Sequence, residues 1–447
     1  MEKMNSLKVK VKHVAIGGDA PIVVQTMCNT HTADIEKSVN QCIQLSKAGA
    51  QLIRLTVPQL KDVEAFAEIK SRLRSINIDT PLVADVHFSS AIALEVAKVA
   101  DKVRINPGNF HKDHKKAQEE FAKLIEVCKK YNTAIRIGLN HGSLGERITN
   151  LYGNTPNGMK EAAMEWLDMS VENDFYNVVV SLKASNTFVM VEAYRLLAKE
   201  MEAKGRIFPI HLGVTEAGNG DSGRIKSAVG ISALLSEGIG NTIRVSLTEE
   251  PVNEIPVAQY LADRYDNKIH STMTSIKFEG KKAIVHYDSP SKERLLMDFA
   301  CDFGKRLLDK DLDEVILKGT YVNDKGETTL LDNSEYADYL VDELMQASRR
   351  RFYRPEYIAC PGCGRTMFNL EQTFNEVKER TKHLKGLVIA VMGCVVNGPG
   401  EMADADWGYV GEGNGRVSIY KGKNPVLRRV PESEAIDKLL ELIDNDN

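Results

Sequence analysis

A regular alternation of short β-branched segments and longer amphipathic segments, from about residue 20 to residue 265, constrains the fold more than any other feature. Apolar residues recur at helical spacing in the longer segments, whereas the short segments are compact apolar runs typical of strands. The predicted strands span residues 22–26, 51–57, 82–85, 102–106, 134–139, 177–182, 208–214 and 242–246. The predicted helices span residues 34–47, 63–73, 91–99, 118–130, 160–172, 188–204 and 225–236.

Eight strand–helix units in succession favour an α/β fold in which a parallel sheet closes into a (β/α)8 TIM barrel over residues 1–265. An open doubly wound sheet is the alternative, but it usually has fewer units, and no G-x-G-x-x-G follows the first strand. The alternation stops over residues 266–355, which we interpret as a small α/β insert or spacer. Residues 356–447 form a third part, which contains the clustered cysteines.

Polar side chains recur near the C-terminal ends of the predicted strands, mostly in pairs two or four residues apart. Even spacing places both members of a pair on one face of the strand, and a TIM barrel forms its active site at that strand end. The candidate substrate-binding residues at this mouth are Arg54, Arg104, Asn106, Arg136, Asn140, Lys183, Arg244 and Ser246. Lys226, near the start of a predicted helix, is expected to add to them.

The cations of this set can be interpreted in two ways. A single arginine is often a helix cap or the partner of a carboxylate, which has little to do with function. Five cations at equivalent strand ends would repel one another strongly in a mouth of low dielectric constant. A polyanionic ligand such as a diphosphate, which arginine binds in a bidentate manner, resolves this repulsion and is the interpretation we favour.

Three cysteines in the last part of the chain form a candidate metal or redox site. Cys360 and Cys363 make a C-x-x-C pair, and Cys394 lies in a Gly/Pro-rich segment that continues to Glu401. A dithiol pair would leave Cys394 without a role, and no second C-x-x-C or nearby histidine completes a structural zinc site. An iron–sulfur cluster with three thiolates and one other ligand, for which Glu401 is the candidate, fits the count. Spacing alone leaves all three possibilities open.

Composition narrows the class of protein. A net charge of −4 gives no global preference for nucleic acid or for an anionic membrane surface. The N-terminus lacks the apolar core of a signal peptide, and no apolar run is long enough to span a membrane, so we expect a cytoplasmic protein. In that reducing compartment the isolated cysteines are expected to be buried apolar side chains: Cys28, Cys42, Cys128 and Cys301.

Taken together, these motifs resemble the hydroxymethylbutenyl diphosphate synthase family of the non-mevalonate (MEP) isoprenoid pathway. The resemblance covers about residues 8–265 and 356–447. Its specific segments are VADVHF at 83–88, VRINPGN at 103–109, HLGVTEAG at 211–218, LLSEGIG at 234–240, CPGC at 360–363 and GCVVNGPGE at 393–401.

The resemblance implies a barrel that binds methylerythritol cyclodiphosphate and a C-terminal α+β domain, similar to sulfite reductase modules, that holds a [4Fe–4S] cluster. The implied cluster ligands are Cys360, Cys363, Cys394 and Glu401. The implied diphosphate contacts come from Arg54, Arg104, Arg136, Lys183 and Ser246, with Asn106 and Asn140 nearby. Asn397 is implied to face the substrate, Glu216 to donate a proton, and Glu401 to exchange with a substrate oxygen at one iron.

The same resemblance implies reductive ring opening of the cyclic diphosphate, with electrons from flavodoxin or ferredoxin, in a homodimer. Two alternatives remain: a zinc-stabilised barrel enzyme that acts on a phosphorylated substrate without redox chemistry, and a non-catalytic iron–sulfur redox sensor. Residues 266–355 are too few for the full barrel-like domain that long members insert, so this part departs from the family pattern.

Overall fold

The computed structural model describes residues 3–395, 398–402 and 404–446. Its first part is an eight-stranded parallel sheet surrounded by helices. The sheet consists of β3 (Val23–Met27), β4 (Leu52–Thr56), β5 (Leu82–Asp85), β6 (Lys102–Ile105), β7 (Ala134–Asn140), β8 (Val178–Lys183), β9 (His211–Leu212) and β10 (Thr242–Ile243). The strand order is β8-β7-β6-β5-β4-β3-β10-β9, and a parallel bridge between Val180 and Ile210 brings the two edges together. The predicted TIM barrel is therefore confirmed.

Seven of the ten helices described around the barrel overlap the predicted amphipathic segments, and most of these seven bury one apolar face. The ten are α1 (Ile35–Lys47), α2 (Lys61–Ser75), α3 (Ser90–Val96), α4 (Pro107–Phe110), α5 (His114–Tyr131), α6 (Glu146–Tyr152), α7 (Pro156–Glu172), α8 (Thr187–Ala203), α9 (Gly220–Leu235) and α10 (Glu254–Tyr265). A 3₁₀ turn at Pro251–Asn253 precedes the last of these. Side-chain oxygens cap several helix starts, as where Asp34 accepts from the Lys37 amide.

An N-terminal hairpin covers the bottom of the barrel. Its strands are β1 (Val9–Val11) and β2 (Val14–Ile16), which pair antiparallel. Val9, Val11 and Ile16 pack in one apolar cluster with the first residues of the barrel strands, such as Val23 and Leu52. The hairpin thus closes the end at which the barrel strands begin, and the polar mouth lies at the other end, where the strands end.

The insert forms a four-stranded sheet with two helices. Its elements are β11 (Met273–Glu279), β12 (Lys282–Ser289), α11 (Lys292–Leu308), β13 (Glu314–Val322), β14 (Thr328–Leu330) and α12 (Glu335–Ala347). Helix α11 connects the parallel strands β12 and β13 and packs against α9 so closely that a Cβ on Gly304 would lie 2.9 Å from Val229 Cγ2. Insert and barrel thus share one continuous apolar core.

The C-terminal part has its own sheet and its own core. Its elements are β15 (Glu356–Ala359), α13 (Leu370–Thr381), β16 (Val388–Met392), α14 (Gly398–Glu401), β17 (Trp407–Gly413), β18 (Arg416–Lys421), β19 (Asn424–Pro431) and α15 (Glu432–Asp446). The strands lie in the order β15-β16-β17-β18-β19; the first three are parallel and the last two join antiparallel. Across the described residues, no helix is both long and apolar enough to cross a membrane.

Candidate active site between the barrel and the C-terminal domain

The mouth of the barrel and the cysteine loops of the same chain enclose one cavity of about 70 Å³. The barrel contributes Met27, Arg54, Asp85, His87, Arg104, Arg136, Asn140, Ser181, Lys183, Thr215, Glu216, Arg244 and Ser246. The C-terminal domain contributes Cys360, Pro361, Gly362, Cys363, Arg365 and Glu401. The two sets that the sequence singled out separately therefore face each other within a single chain.

Strand register explains why the barrel cations converge. Asp85 pairs in register with Arg104, which in turn pairs with Arg136, so the three side chains occupy equivalent positions on neighbouring strands. Gly138 leaves room for them, because a Cβ there would lie 2.7 Å from Arg104 Nε. Gly213 does the same for Lys183, whose Nζ would lie 2.8 Å from an added Cβ.

Only some of the cations have a carboxylate partner. Arg104 Nη1 lies 2.9 Å from Asp85 Oδ1, and Arg244 Nη2 lies 3.0 Å from Glu254 Oε1. Arg136 is 1% exposed, and its Nε and Nη1 have no hydrogen-bond partner in the part of the chain that the structure describes. Lys183 likewise has no ion pair with any described carboxylate. The mouth holds more positive charge than its own acidic residues neutralise.

Burial and mutual repulsion both lower the pKa values of these cations. Burial, followed by the neighbouring cations, lowers the pKa of Arg54 to about 10, although Asp85 opposes the shift. The same causes hold the pKa values of Arg136 and Lys183 well below their usual range. An anion placed among them would relieve the repulsion and restore full charge, which is the electrostatic signature of an anion-binding site.

A buried network joins the barrel to the cysteine loop through Arg365, two residues after Cys363. Arg365 Nη2 lies 3.2 Å from Asp85 Oδ2. Burial opposes ionisation of Asp85, but Arg54 and Arg104 hold its pKa well below the usual range. Sequence reasoning missed Arg365; its position directly after the C-x-x-C pair was the available signal.

Two carboxyl groups meet across the interface. Asn140 Nδ2 donates to Glu401 Oε1, and Glu216 lies beside Glu401 within hydrogen-bonding range. Burial, and then the charge of Glu401, raises the pKa of Glu216 well above its usual range. Glu216 has a φ of 49°, an unfavourable backbone conformation for this residue type, and its side chain borders the cavity. The raised pKa favours the protonated form of the Glu216 carboxyl.

Hydrogen bonds to backbone carbonyls tie the cysteine loops to the barrel and to each other. Thr248 Oγ1 of the barrel donates to the carbonyl of Cys360 at 3.1 Å. The Met367 amide donates to the carbonyl of Gly393 at 3.1 Å, which links the first loop to the residue before Cys394. Burial raises the pKa of Cys360, and the nearby Cys363, Glu216 and Cys394 raise it further.

Not every candidate residue lies at this cavity. Asn106 caps α4 through a 3.1 Å bond from the Gly108 amide, and its amide donates to Ser143, so its predicted substrate contact stays a prediction. Lys226 lies 3.4 Å from Glu356 at a different cavity, which is lined by residues of all three parts of the chain. Asn397 lies outside the described residues.

The isolated cysteines are buried, as predicted: Cys28, Cys42, Cys128 and Cys301. The sulfurs of Cys28 and Cys42 lie 3.6 Å apart, a contact that the sequence did not indicate.

Comparison with known proteins identifies the family. Residues 6–259 match the GcpE TIM-barrel domain, and residues 356–445 match the GcpE protein C-terminal domain. A 4-hydroxy-3-methylbut-2-en-1-yl diphosphate synthase (ferredoxin) of Prochlorococcus marinus is 41% identical, covering 100% of this chain and 94% of its own length. A synthase of the same name from Synechococcus sp. is 42% identical, and the match covers 98% of this chain and 90% of that relative.

A 4-hydroxy-3-methylbut-2-en-1-yl diphosphate synthase (flavodoxin) of Phocaeicola vulgatus is 35% identical, covering 99% of this chain and 97% of its own length. That alignment spans 607 positions, more than the 447 residues here, so this relative carries insertions. Among solved structures, a type I 3-dehydroquinate dehydratase from Clostridium difficile matches at a TM-score of 0.40 and 15% identity, covering 58% of this chain and 98% of that chain, too weak a likeness for argument. The family models and the curated relatives agree, and the chain belongs to the GcpE family of 4-hydroxy-3-methylbut-2-en-1-yl diphosphate synthases.

Proposed function

We propose that this chain catalyses reductive ring opening of 2-C-methyl-D-erythritol 2,4-cyclodiphosphate to 4-hydroxy-3-methylbut-2-enyl diphosphate, a step of the non-mevalonate isoprenoid pathway. The observation that carries the proposal is the single cavity in which an excess of buried cations faces the cysteine loops. The family of the chain and the names of its relatives support the same reaction.

We propose that the barrel cations bind the diphosphate of the substrate. Arg136 and Lys183 are buried and without a described carboxylate partner, so a diphosphate would supply the missing negative charge. Arg54 and Arg104 border the same space, and Ser246 and Asn140 add neutral polar groups. Each charge-assisted hydrogen bond to a phosphate oxygen contributes about 1.5–3 kcal/mol.

Cys360, Cys363, Cys394 and Glu401 would hold a [4Fe–4S] cluster. The first two cysteines and Glu401 border the cavity, and the bond between Met367 and Gly393 draws the Cys394 loop to the same place. Among the described side chains, no group of three Cys, His, Asp or Glu residues could hold one metal ion. Three thiolates and one carboxylate suit an iron–sulfur cluster that has one non-cysteine ligand.

When bound, the cluster would supply single electrons and one iron with an exchangeable ligand position. The residues of the chain would do the rest. The cations hold the diphosphate and stabilise the charge that is released when the ring C–O bond breaks. Two electrons would reach the substrate one at a time, and Glu216 would give the proton on its carboxyl to the substrate hydroxyl, which leaves as water while the ring oxygen stays on the diphosphate. Asn140 orients Glu401 by its hydrogen bond.

The parts of the chain would divide this work. We propose residues 1–265 as the substrate-binding domain, 266–355 as an insert that supports the barrel helix α9, and 356–447 as the cluster domain. The electrons would come from a separate carrier, flavodoxin or ferredoxin, as in the names of the relatives. The expected homodimer and cytoplasmic location belong to the same proposal.

Anaerobic turnover with variants tests the function. Wild-type protein is expected to convert the cyclodiphosphate with dithionite as reductant. Cys394→Ser should lose iron and sulfide together with activity, whereas Glu401→Ala should retain the cluster and lose turnover. A colourless wild-type protein with one bound zinc and no turnover would instead support the zinc-stabilised alternative.

A further inference from the structure

A strongly basic hairpin forms the outer edge of the C-terminal sheet. Residues 414–431, the basic hairpin, contain five cations and no carboxylate in a chain whose net charge is −4. The five are Arg416, Lys421, Lys423, Arg428 and Arg429, and all are exposed. Lys421 pairs with Asp446, but within the described ranges no carboxylate lies within ion-pair distance of the other four. Such a run of unneutralised charge favours an acidic partner.

A β-bulge directs two of these arginines outward. Val417 pairs with Val430 and Ile419 pairs with Leu427, so Arg428 and Arg429 together oppose the single residue Ser418. Arg429 has a φ of 55°, which places it in the left-handed region that a bulge can require. Bulges re-aim side chains, and here the bulge adds two guanidinium groups to one stretch of the sheet edge.

The bulged end of the hairpin is also the end nearest the cysteines. Strands β15, β16 and β17 run parallel and end beside Cys360 and Cys394, and β18 begins at that end with Arg416, which pairs with Gly413. Arg416 Nη1 donates to the carbonyl of Arg429 at 3.3 Å. Lys421 and Lys423, in contrast, lie at the opposite end of the hairpin.

Two exposed apolar side chains lie close to the cysteines in the chain, and one of them, Met367, also lies beside the bulged end of the hairpin. Met367 and Val395 are each 47% exposed, although they follow Cys363 and Cys394 closely in the chain. Met367 Sδ would lie 3.5 Å from a Cβ on Gly413, the residue paired with Arg416. Cys360 and Cys363 border the substrate cavity, so Met367 and Val395 mark a solvent-exposed approach to the same loops.

We propose that Met367, Val395, Arg416, Arg428 and Arg429 form the docking surface for an acidic one-electron carrier protein. This inference rests on the proposed function, which requires electrons from outside the chain. An apolar centre with a charged rim is the usual anatomy of a protein interface, and the basic rim selects an acidic partner and accelerates encounter. Electrons enter at this surface, while the substrate lies in the cavity on the barrel side of the cysteines.

Charge reversal at the two ends of the same hairpin tests the surface. Arg416→Glu/Arg428→Glu changes the cysteine end, and Lys421→Glu/Lys423→Glu makes the same change of charge at the far end. The affinity of each anaerobic holoenzyme for a flavodoxin and for a ferredoxin, both of net negative charge, is measured by calorimetry at low and high salt. Turnover driven by dithionite, a small reductant that needs no docking surface, is measured in parallel.

We expect the cysteine-end variant to bind both carriers about tenfold more weakly at low salt, with a smaller salt dependence. Its dithionite-driven turnover should stay within about twofold of the wild type, and the far-end variant should keep most of its carrier affinity. Unchanged affinity in the cysteine-end variant would overturn the proposal. Equal weakening in both variants would also overturn it, because the effect would then be one of net charge alone.

Two further outcomes separate this proposal from others. Self-association of the wild type that the cysteine-end variant abolishes, without carrier binding, would assign the surface to a second copy of the chain and overturn the inference. Wild-type protein that binds carriers but does not turn over with dithionite would refute the proposed function, not the docking surface.

Discussion

Replacing Arg136 with methionine is expected to make the substrate-free protein more stable. The same substitution is expected to weaken binding of the substrate. The guanidinium is 1% exposed, its Nε and Nη1 have no described partner, and burial holds its pKa well below the usual range. Replacement of a buried ion pair by apolar residues of similar size is often stabilising, by about 1–4 kcal/mol, and a buried charge without a partner is costlier to keep than a paired one. We therefore expect Arg136→Met to raise the free energy of unfolding by about that amount.

Arg244→Met is the matched control. Arg244 lies at an equivalent strand end but forms a buried ion pair with Glu254, whose side chain is 2% exposed. Its removal would leave a buried carboxylate without compensation, which destabilises by about 3–5 kcal/mol. The two substitutions have the same chemistry and should shift the melting temperature, measured by calorimetry without substrate, in opposite directions.

Binding should fall for Arg136→Met despite its greater stability. Loss of a charge-assisted hydrogen bond to a diphosphate costs about 1.5–3 kcal/mol, or roughly a 10–150-fold weaker affinity for the cyclodiphosphate. Titration calorimetry with the non-reduced protein measures this without turnover. If Arg136→Met melts as much below the wild type as Arg244→Met does, or binds the cyclodiphosphate normally, Arg136 is not an uncompensated cation that awaits an anion.

Three further outcomes follow from the buried network and from the closed cavity. Burial lowers the pKa of His87 from 6.5 to about 3. The stability that neutral His87 contributes is therefore present above pH 6.5 and is lost as the pH falls toward 3. Denaturation at a series of pH values should show a shallower loss of stability in acid for His87→Gln. The pKa of Glu216 is raised, so the stability that its protonated form contributes is lost as the pH rises from 4.5 through the raised value. Glu216→Gln should therefore gain stability relative to the wild type at high pH, while its turnover collapses. Because the cavity forms within one chain, mixing Arg136→Met with Cys394→Ser should restore no activity in the turnover assay.

Each of these outcomes has a clear contrary result. An unchanged acid transition in His87→Gln would mean that His87 is not held neutral by burial. Normal turnover in Glu216→Gln would remove it as the proton donor. Recovered turnover in the mixed sample would show that the cysteine loops of one chain serve the barrel of another.

The spacing of apolar and polar residues along the sequence was enough to predict the barrel and many of the residues at its mouth. Apolar periodicity defined the strands, and polar residues at strand ends, such as Arg54 and Lys183, lie at the cavity because side chains alternate across a strand. Asn106 follows the last residue of β6 and caps α4, so its predicted contact with the substrate stays a prediction. A polar residue just past a strand can serve the next helix instead of the site, and spacing does not distinguish the two.

Contacts between distant parts of the chain were beyond what spacing could predict. The ion pair between Asp85 and Arg365 joins residues 280 positions apart, and only the folded arrangement brings them together. Lys226 was expected at the mouth but is drawn away by Glu356, which Arg349 of the insert also binds at 2.6 Å. Arg349 therefore contributes to the junction of the three parts of the chain.

The closeness of substrate and cluster is the central claim, and electron paramagnetic resonance of the reduced protein tests it most directly. Anaerobic wild-type protein reduced with dithionite should give a cluster signal that changes when the cyclodiphosphate is added, because the diphosphate site and the cysteine loops border one cavity. Arg136→Met should show the signal without this change at the same substrate concentration. A wild-type signal that stays unchanged while calorimetry shows bound cyclodiphosphate would contradict the account.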